Sequence, residues 1–329
     1  MPPETVPQQP PAHVTHRHAW RLPLETAGFK IARTCIPLLP RLAVRAIAWT
    51  AGTLGWLAGG KLKRIGEANL TLAFGASLAP SERRRILRQV YRHFSLLTLD
   101  LFWFAHDTRR RLDRWVEVDP SVPALAEPKR LMVLTAHLGN WEILGMRTAS
   151  LGRQLMSVAM PLTNPFVDRE FIRLREATGQ IIIPRDGATR KLLKGIRDGA
   201  AMAVLLDQNT PLAEGGAYVD FFGLPVPVST APAHIALMTR AHIALVVCLP
   251  APGGKYRAHC ERIIELPSED LPREEAALQL TRRMTASVEA MVRKHPGYWL
   301  WLYKRWKFIP PGHDGAGYPF YARASKPGE

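Results

Sequence analysis

The segment TAHLGNWE (135–142) sets a histidine directly after the apolar run LMVLTA (131–136), follows it with a Gly-Asn corner, and brings a glutamate five positions later. Such a pair can do acid–base chemistry: an imidazole whose tautomer and charge are fixed by a carboxylate takes a proton from a hydroxyl near neutral pH. His137 and Glu142 cannot share a helix face, because five residues turn a helix by about 500°. Across a strand-loop-helix corner, Glu142 can instead fold back on His137 and orient it. That is the base-and-orienter half of a Ser-His-Asp arrangement. No protein nucleophile accompanies it, and the GxSxG elbow of serine hydrolases is missing. The attacking hydroxyl therefore belongs most simply to a substrate, which implies direct transfer without a covalent enzyme intermediate. The sequence has no HExxH and no clustered His/Cys/Asp set, so no metal is expected. A purely structural His–Glu pair fits the same spacing.

The elements around the pair must place it. LMVLTA is short, β-prone and bounded by charge, as a buried strand should be. NWEILGMRTASLG (140–152) repeats its apolar residues at helical spacing, with Asn140 as N-cap and Glu142 in the first turn, where a carboxylate is favoured. His137 then lies at the carboxyl end of a strand and Glu142 at the start of the next helix, where open α/β sheets hold their ligands. The alternation continues: strands 154–160, 180–183, 201–207 and 242–250, with helices 165–178, 188–198 and 231–240 between them. A long helix (81–106) precedes the series, and a strand (256–266) and helix (272–295) follow it. Crossover connections of this kind predict a mixed, largely parallel central sheet flanked by helices. No internal repeat is present.

The 329 residues carry 44 Lys+Arg against 28 Asp+Glu, a net +16, which calls for an anionic partner. Cys35, Cys248 and Cys260 are odd in number and unpatterned, which excludes a disulfide framework and fits a reducing compartment. Residues 1–20, rich in Pro and His, read as a disordered tail whose His13, His16 and His18 can bind metal only adventitiously. No secretory signal opens the sequence. Residues 31–60 are apolar but interrupted by Arg33, Arg41 and Arg45. The charge-free part, 46–60, is shorter than the roughly 20 residues a spanning helix needs, and KLKR (61–64) follows where anionic head groups would be met. Residues 21–62 are thus expected to form an interfacial or marginally spanning membrane anchor, the alternative being a buried helix of the domain. YWLWLYKRWKF (298–308) interleaves aromatics with cations, as suits a bilayer interface. Stacking on single-stranded nucleic acid would use the same mixture, but no nucleic-acid module accompanies it. The third alternative is an edge packed on the sheet. Residues 311–329 are expected to be a disordered tail.

TAHLGNWE resembles the HxxxxD/E motif of the lysophospholipid acyltransferase superfamily. More of the sequence resembles its bacterial lipid A late (lauroyl/myristoyl) acyltransferase branch. The matching stretches include KRIGEANLTLAF (63–74), PLTNPFVDREFIRLREATG (161–179), PRDGATRKLLKGIRDGAAMAVLLDQN (184–209), DFFGLPVPVSTAPAHIALMT (220–239) and HPGYWLWLYKRWKF (295–308). The resemblance covers about residues 20–310 and implies a glycerol-3-phosphate acyltransferase-like domain over 63–310.

It further implies a membrane-bound O-acyltransferase on the cytoplasmic face of the bacterial inner membrane. His137 would deprotonate a hydroxyl of a lipid A precursor, Glu142 would orient His137, and the hydroxyl would attack an acyl thioester. The thioester, on acyl carrier protein or coenzyme A, is a substrate, and no cofactor is implied. Asn140, Arg175, Arg185, Asp207 and Gln208 would bind substrate, although Arg185 equally reads as a surface charge and Asp207 as a strand-end cap. One departure stands out: where the family commonly reads Tyr-Arg-Pro, this sequence has Ala159 and Met160, removing a cation that Arg173 or Arg175 would have to replace. That keeps open another acceptor, such as a phosphatidylinositol mannoside or an ornithine-type lipid. A catalytically silent membrane-binding protein is the alternative from another class.

Overall fold

Short apolar runs alternating with amphipathic helices bury best when the runs align as parallel strands and the helices cover both faces. The computed structural model, which describes residues 21–122, 129–185 and 187–326, has this arrangement. The strands are β1 (Val116–Val118), β2 (Leu131–Thr135), β3 (Leu155–Ala159), β4 (Gln180–Pro184), β5 (Ala201–Leu205), β6 (Gly216–Phe221), β7 (Leu224–Ser229), β8 (His242–Pro250) and β9 (Tyr256–Ile264), followed by the short β10 (Phe308–Ile309) and β11 (Arg323–Ala324). The main sheet has seven strands in the order β1-β9-β8-β2-β5-β3-β4. From β8 to β4 all neighbours are parallel, β9 runs antiparallel to β8, and β1 is parallel to β9. The expected mixed, largely parallel sheet is therefore present.

The helices are α1 (Arg21–Cys35), α2 (Arg41–Ala58), α3 (Gly60–Phe74), α4 (Pro80–Trp103), α5 (Thr108–Trp115), α6 (Trp141–Ser150), α7 (Pro165–Glu176), α8 (Ala188–Arg197), α9 (Ala231–Thr239) and α10 (Arg273–Lys294). Alternate residues of β2 face opposite sides, as strand geometry requires. Met132 and Leu134 join Leu192, Ile196, Ile235 and Leu280 in one core, while Leu131 and Val133 join Leu112, Ile143 and Leu144 in another. Every residue of β2 is buried, which explains its continuous apolar run.

Of the interfacial or marginally spanning anchor expected over 21–62, the spanning form needs correction. Among the described residues no helix is long and apolar enough to cross a membrane. Instead α2 packs on α4 through Val44, Ala48 and Gly52, and a Cβ built on Gly52 would lie 2.4 Å from the Arg92 Cα. Arg41 is buried in an ion pair with Asp100, and the Tyr256 hydroxyl donates to the same carboxylate at 2.6 Å. A charge inserted this deeply makes α2 part of the domain. Its outer face is different: Leu42, Trp49, Leu54 and Leu57 are exposed.

The C-terminal segment is also corrected. Trp299, Trp301 and Trp306 are fully buried rather than displayed to a bilayer, and Arg305 is buried with them; the packed-edge alternative holds. Residues 311–326 are not a loose tail. β11 pairs with β10 in parallel, and the Tyr318 hydroxyl donates to the Pro225 carbonyl at 2.6 Å. The tail expected over residues 1–20 lies outside the described residues, as do 327–329.

Candidate active site

The corner after β2 depends on one glycine. Gly139 has φ +64°, a region that favours glycine, and a Cβ there would lie 2.3 Å from the Cys248 carbonyl oxygen. The chain turns sharply under β8, the Gly139 N–H donating to the Tyr298 carbonyl at 3.0 Å and the Asn140 N–H to the Cys248 carbonyl at 2.8 Å. His93, buried and pushed down to about 4 by burial, sits 3.0 Å from the Gly139 carbonyl and serves as a neutral donor. This fixes His137 above the carboxyl edge of the sheet with its side chain partly exposed.

β2 and β5 are parallel neighbours with Thr135 opposite Leu205. His137 and Asp207, each two residues further on, are thereby brought face to face. The Asp207 carboxylate, almost fully buried, accepts from His137 Nδ1 on Oδ1 at 2.8 Å. On Oδ2 it accepts from the His137 backbone N–H at 2.8 Å and from Trp299 Nε1 at 2.7 Å. Burial alone would raise the Asp207 pKa, but His137 and these donors hold it below the usual carboxylate range. Burial likewise works against the imidazolium, and the Asp207 charge overcomes it, so His137 titrates above its ordinary value. An ionised acceptor at Nδ1 places the proton there and leaves Nε2 as the base. Nε2 lies 3.4 Å from the exposed Gln208 amide nitrogen.

Glu142 does not do what the HxxxxE spacing suggested. Its carboxylate is held by Arg175, with Nε at 2.9 Å and Nη2 at 2.6 Å, and accepts from the Trp141 indole at 3.2 Å. The physical reason is position: at the start of α6 the carboxylate faces α7, whose last turn presents Arg175. Glu142 reaches His137 only through its charge and through Trp141, whose ring packs edge-on 4.8 Å from the imidazole. Asp207 makes the contact expected of Glu142.

The remaining expected site residues separate. Asn140 is completely buried, and its Oδ1 caps α6 by accepting from the Ile143 N–H at 3.1 Å. Arg185, at the end of β4, pairs with Glu214. Met160 is exposed at the end of β3. The cation beside it is neither Arg173, paired with Glu170, nor Arg175, but Arg185, whose Nη1 lies 3.9 Å from the Met160 sulfur. Sequence reasoning missed Trp299. The segment after α10 is stitched to the Asp207 loop: Leu300 N–H donates to the His137 carbonyl at 3.1 Å, and Asn209 takes Arg305 Nη1 on Oδ1 at 2.9 Å. The alternation of Trp299 and Trp301 is a strand-like signal of burial that a reading for lipid contact overlooks.

A family model described as bacterial lipid A biosynthesis acyltransferase matches residues 21–308. A phosphatidylinositol mannoside acyltransferase of Mycobacterium tuberculosis is 25% identical over 203 residues, covering 60% of this chain and 61% of the relative. The lipid A biosynthesis palmitoleoyltransferase of Escherichia coli is 24% identical over 271 residues, covering 79% and 85%. The lauroyltransferase of the same organism is 25% identical over 257 residues, covering 76% and 80%. The chain spans about three fifths of the length of the mycobacterial relatives. Among solved structures, the 1-acyl-sn-glycerophosphate acyltransferase of Thermotoga maritima aligns at a TM-score of 0.35 and 14% identity, covering 76% of this chain and 97% of that one, a likeness too loose to support inference.

Proposed function

Since the chain belongs to the bacterial lipid A biosynthesis acyltransferase family, we propose that it moves a fatty acyl chain from a thioester to a hydroxyl of a lipid A precursor, with His137 as general base. The observation that carries this reading is the buried Asp207 carboxylate on His137 Nδ1 at 2.8 Å, which leaves Nε2 free to act. The acceptor hydroxyl gives its proton to Nε2 as its oxygen attacks the thioester carbonyl. The tetrahedral intermediate collapses, the C–S bond breaks, and the departing sulfur takes the proton back from the imidazolium. One ester and one thiol result, with no covalent enzyme intermediate. Asp207 is the positioning group, and Trp299 holds Asp207. Glu142 and Arg175 tie α6 to α7 and keep Trp141 against the imidazole.

Approach to substrate is interfacial. Leu24, Ile31, Leu38, Leu42, Trp49, Leu54 and Leu57 lie exposed along α1, α2 and the turn between them, with Lys61 and Arg64 exposed at the start of α3. Apolar side chains beside cations suit an anionic bilayer surface, here the cytoplasmic face of the bacterial inner membrane. The donor is carried by an acidic acyl carrier protein or by coenzyme A, both of which suit a basic protein.

A second reading, transfer to a different glycolipid such as a phosphatidylinositol mannoside or to an ornithine-type lipid, is favoured by Met160. An uncharged side chain stands where the resemblance leads one to expect an arginine, and the nearby Arg185 is engaged with Glu214. Mass spectrometry after incubating the purified protein with an acyl thioester and each acceptor separates the readings. One added acyl chain on the lipid A precursor is expected. Acylation of the other acceptor alone would select the second reading, and no change in either would leave a membrane-binding protein without this chemistry.

A further inference from the structure

Away from the His137 corner, two side chains of β9 meet a third from the end of α10. His259 Nε2 lies 2.8 Å and His295 Nε2 3.0 Å from the same oxygen, Oε1 of Glu261. All three potential ligand atoms fall within 4.8 Å of one another, and each residue is partly exposed. From this geometry we propose that His259, Glu261 and His295 form a binding site for a divalent transition metal, zinc by its donor set, that clips the end of α10 to the sheet.

Two imidazoles and a carboxylate are borderline-soft donors of the kind zinc takes, with bonds of about 2.0–2.2 Å to nitrogen and oxygen. In a tetrahedral site such bonds separate neighbouring donors by about 3.3–3.4 Å. The two spacings to Glu261, 2.8 and 3.0 Å, need to open by only a few tenths of an ångström, and the two imidazole nitrogens already lie within 4.8 Å of each other. Partial exposure of all three leaves a fourth position open to water. Glu261 is delivered by a β-bulge: Val246 pairs with Cys260 and Leu245 with Arg262, leaving Glu261 as the extra residue of β9. Lys294 Nζ occupies the other oxygen, Oε2, at 2.8 Å, which orients the carboxylate and leaves Oε1 to the metal.

The placement gives the clip a consequence. His295 is the residue at which α10 ends, and four residues later Trp299 donates to Asp207. A metal here pins the start of the segment that completes the His137 site.

The test uses the full-length protein with His13, His16 and His18 replaced by alanine, so that the tail cannot bind metal. Zinc is titrated by calorimetry, cobalt(II) by visible absorption, and melting is followed with and without zinc. One zinc per chain is expected, with a tetrahedral cobalt spectrum and a zinc-dependent rise in Tm. His259→Gln and His295→Gln each keep a donor to Glu261 but remove the imidazole, and should weaken zinc binding at least tenfold and abolish the Tm shift. Fewer than one zinc per chain in the tail-substituted protein, or equal binding in the glutamine variants, would overturn the proposal.

Discussion

Asp207→Asn is predicted to cut acyl transfer by about 10³–10⁴-fold while leaving the fold in place. The native carboxylate accepts on Oδ2 from the His137 N–H at 2.8 Å and Trp299 Nε1 at 2.7 Å, and on Oδ1 from His137 Nδ1 at 2.8 Å. Asparagine has one oxygen. The two fixed N–H donors claim it, so the amide NH₂ is turned toward Nδ1. Nδ1 must then accept, the ring proton moves to Nε2, and the site presents a donor where it needs a base. A wrong tautomer costs about 10⁴ in a comparable triad, and loss of a general base about 10²–10⁴. The predicted loss corresponds to about 4–5.5 kcal/mol of barrier.

The pH profile carries a second signature of the same substitution. In the native protein burial disfavours the imidazolium but Asp207 outweighs it, so the His137 pKa is raised. Rate, which needs the neutral base, therefore rises as pH climbs through that raised value. Stability has the opposite sign: the contribution of a raised pKa is complete below the unfolded value of about 6.5 and is lost as pH rises through the folded one. Without the Asp207 charge the acidic limb of any residual activity should move to lower pH. Steady-state transfer across pH, with circular dichroism to confirm folding, measures both effects. Refutation would be a folded Asp207→Asn protein keeping more than a third of native activity while Glu142→Gln loses more than 10²-fold, which would return the orienting role to Glu142.

Four further perturbations address the surroundings of the site. Gly52→Ala should destabilise the protein by about 1–3 kcal/mol, because the new Cβ meets Arg92 backbone atoms at 2.4 and 2.7 Å; an unchanged melting temperature would mean that α2 is not seated on α4. Changing the exposed Leu42, Leu54 and Leu57 together to serine should release the protein from floated anionic vesicles without altering its melt, and unchanged flotation would rule this face out. Lys61, Lys63 and Arg64→Glu should weaken binding to anionic vesicles more than to neutral ones. Met160→Arg should lower activity, because the new cation meets Arg185, whose Nη1 lies 3.9 Å from the native sulfur. Adding Arg185→Ala should then raise activity on a bis-phosphorylated acceptor, and strictly additive effects would show that the two positions do not share a ligand.

The alternating strands and helices were legible because each is a local pattern: β2 ends within a residue of its apolar run, and Asn140 caps α6 as its side chain allows. What was not legible depends on strand order. Asp207 meets His137 because β5 lies beside β2, and a chain that crosses from β2 through β3 and β4 before placing β5 between β2 and β3 gives no local sign of that. Spacing therefore drew attention to Glu142, the nearer carboxylate in sequence, when the partner was 70 residues away. The same non-locality hid Trp299, and it hid the approach of His295 to His259 and Glu261. Apolar residues beside cations are ambiguous in a different way. In both 41–58 and 298–308 the pattern is compatible with a bilayer surface and with core packing. Only the buried Arg41–Asp100 pair and the buried tryptophans settle that these segments belong to the domain.

A single-turnover reaction followed by mass spectrometry of both lipid and protein tests the role of His137. With purified protein, one acyl thioester and a lipid A precursor, the native enzyme should add one acyl chain to the acceptor, release one thiol per chain added, and never gain mass itself. A folded His137→Ala protein should leave the acceptor nearly untouched over the same time. Acylation by that variant at more than half the native rate, or an acyl group trapped on the native protein, would contradict direct transfer by a His137 base.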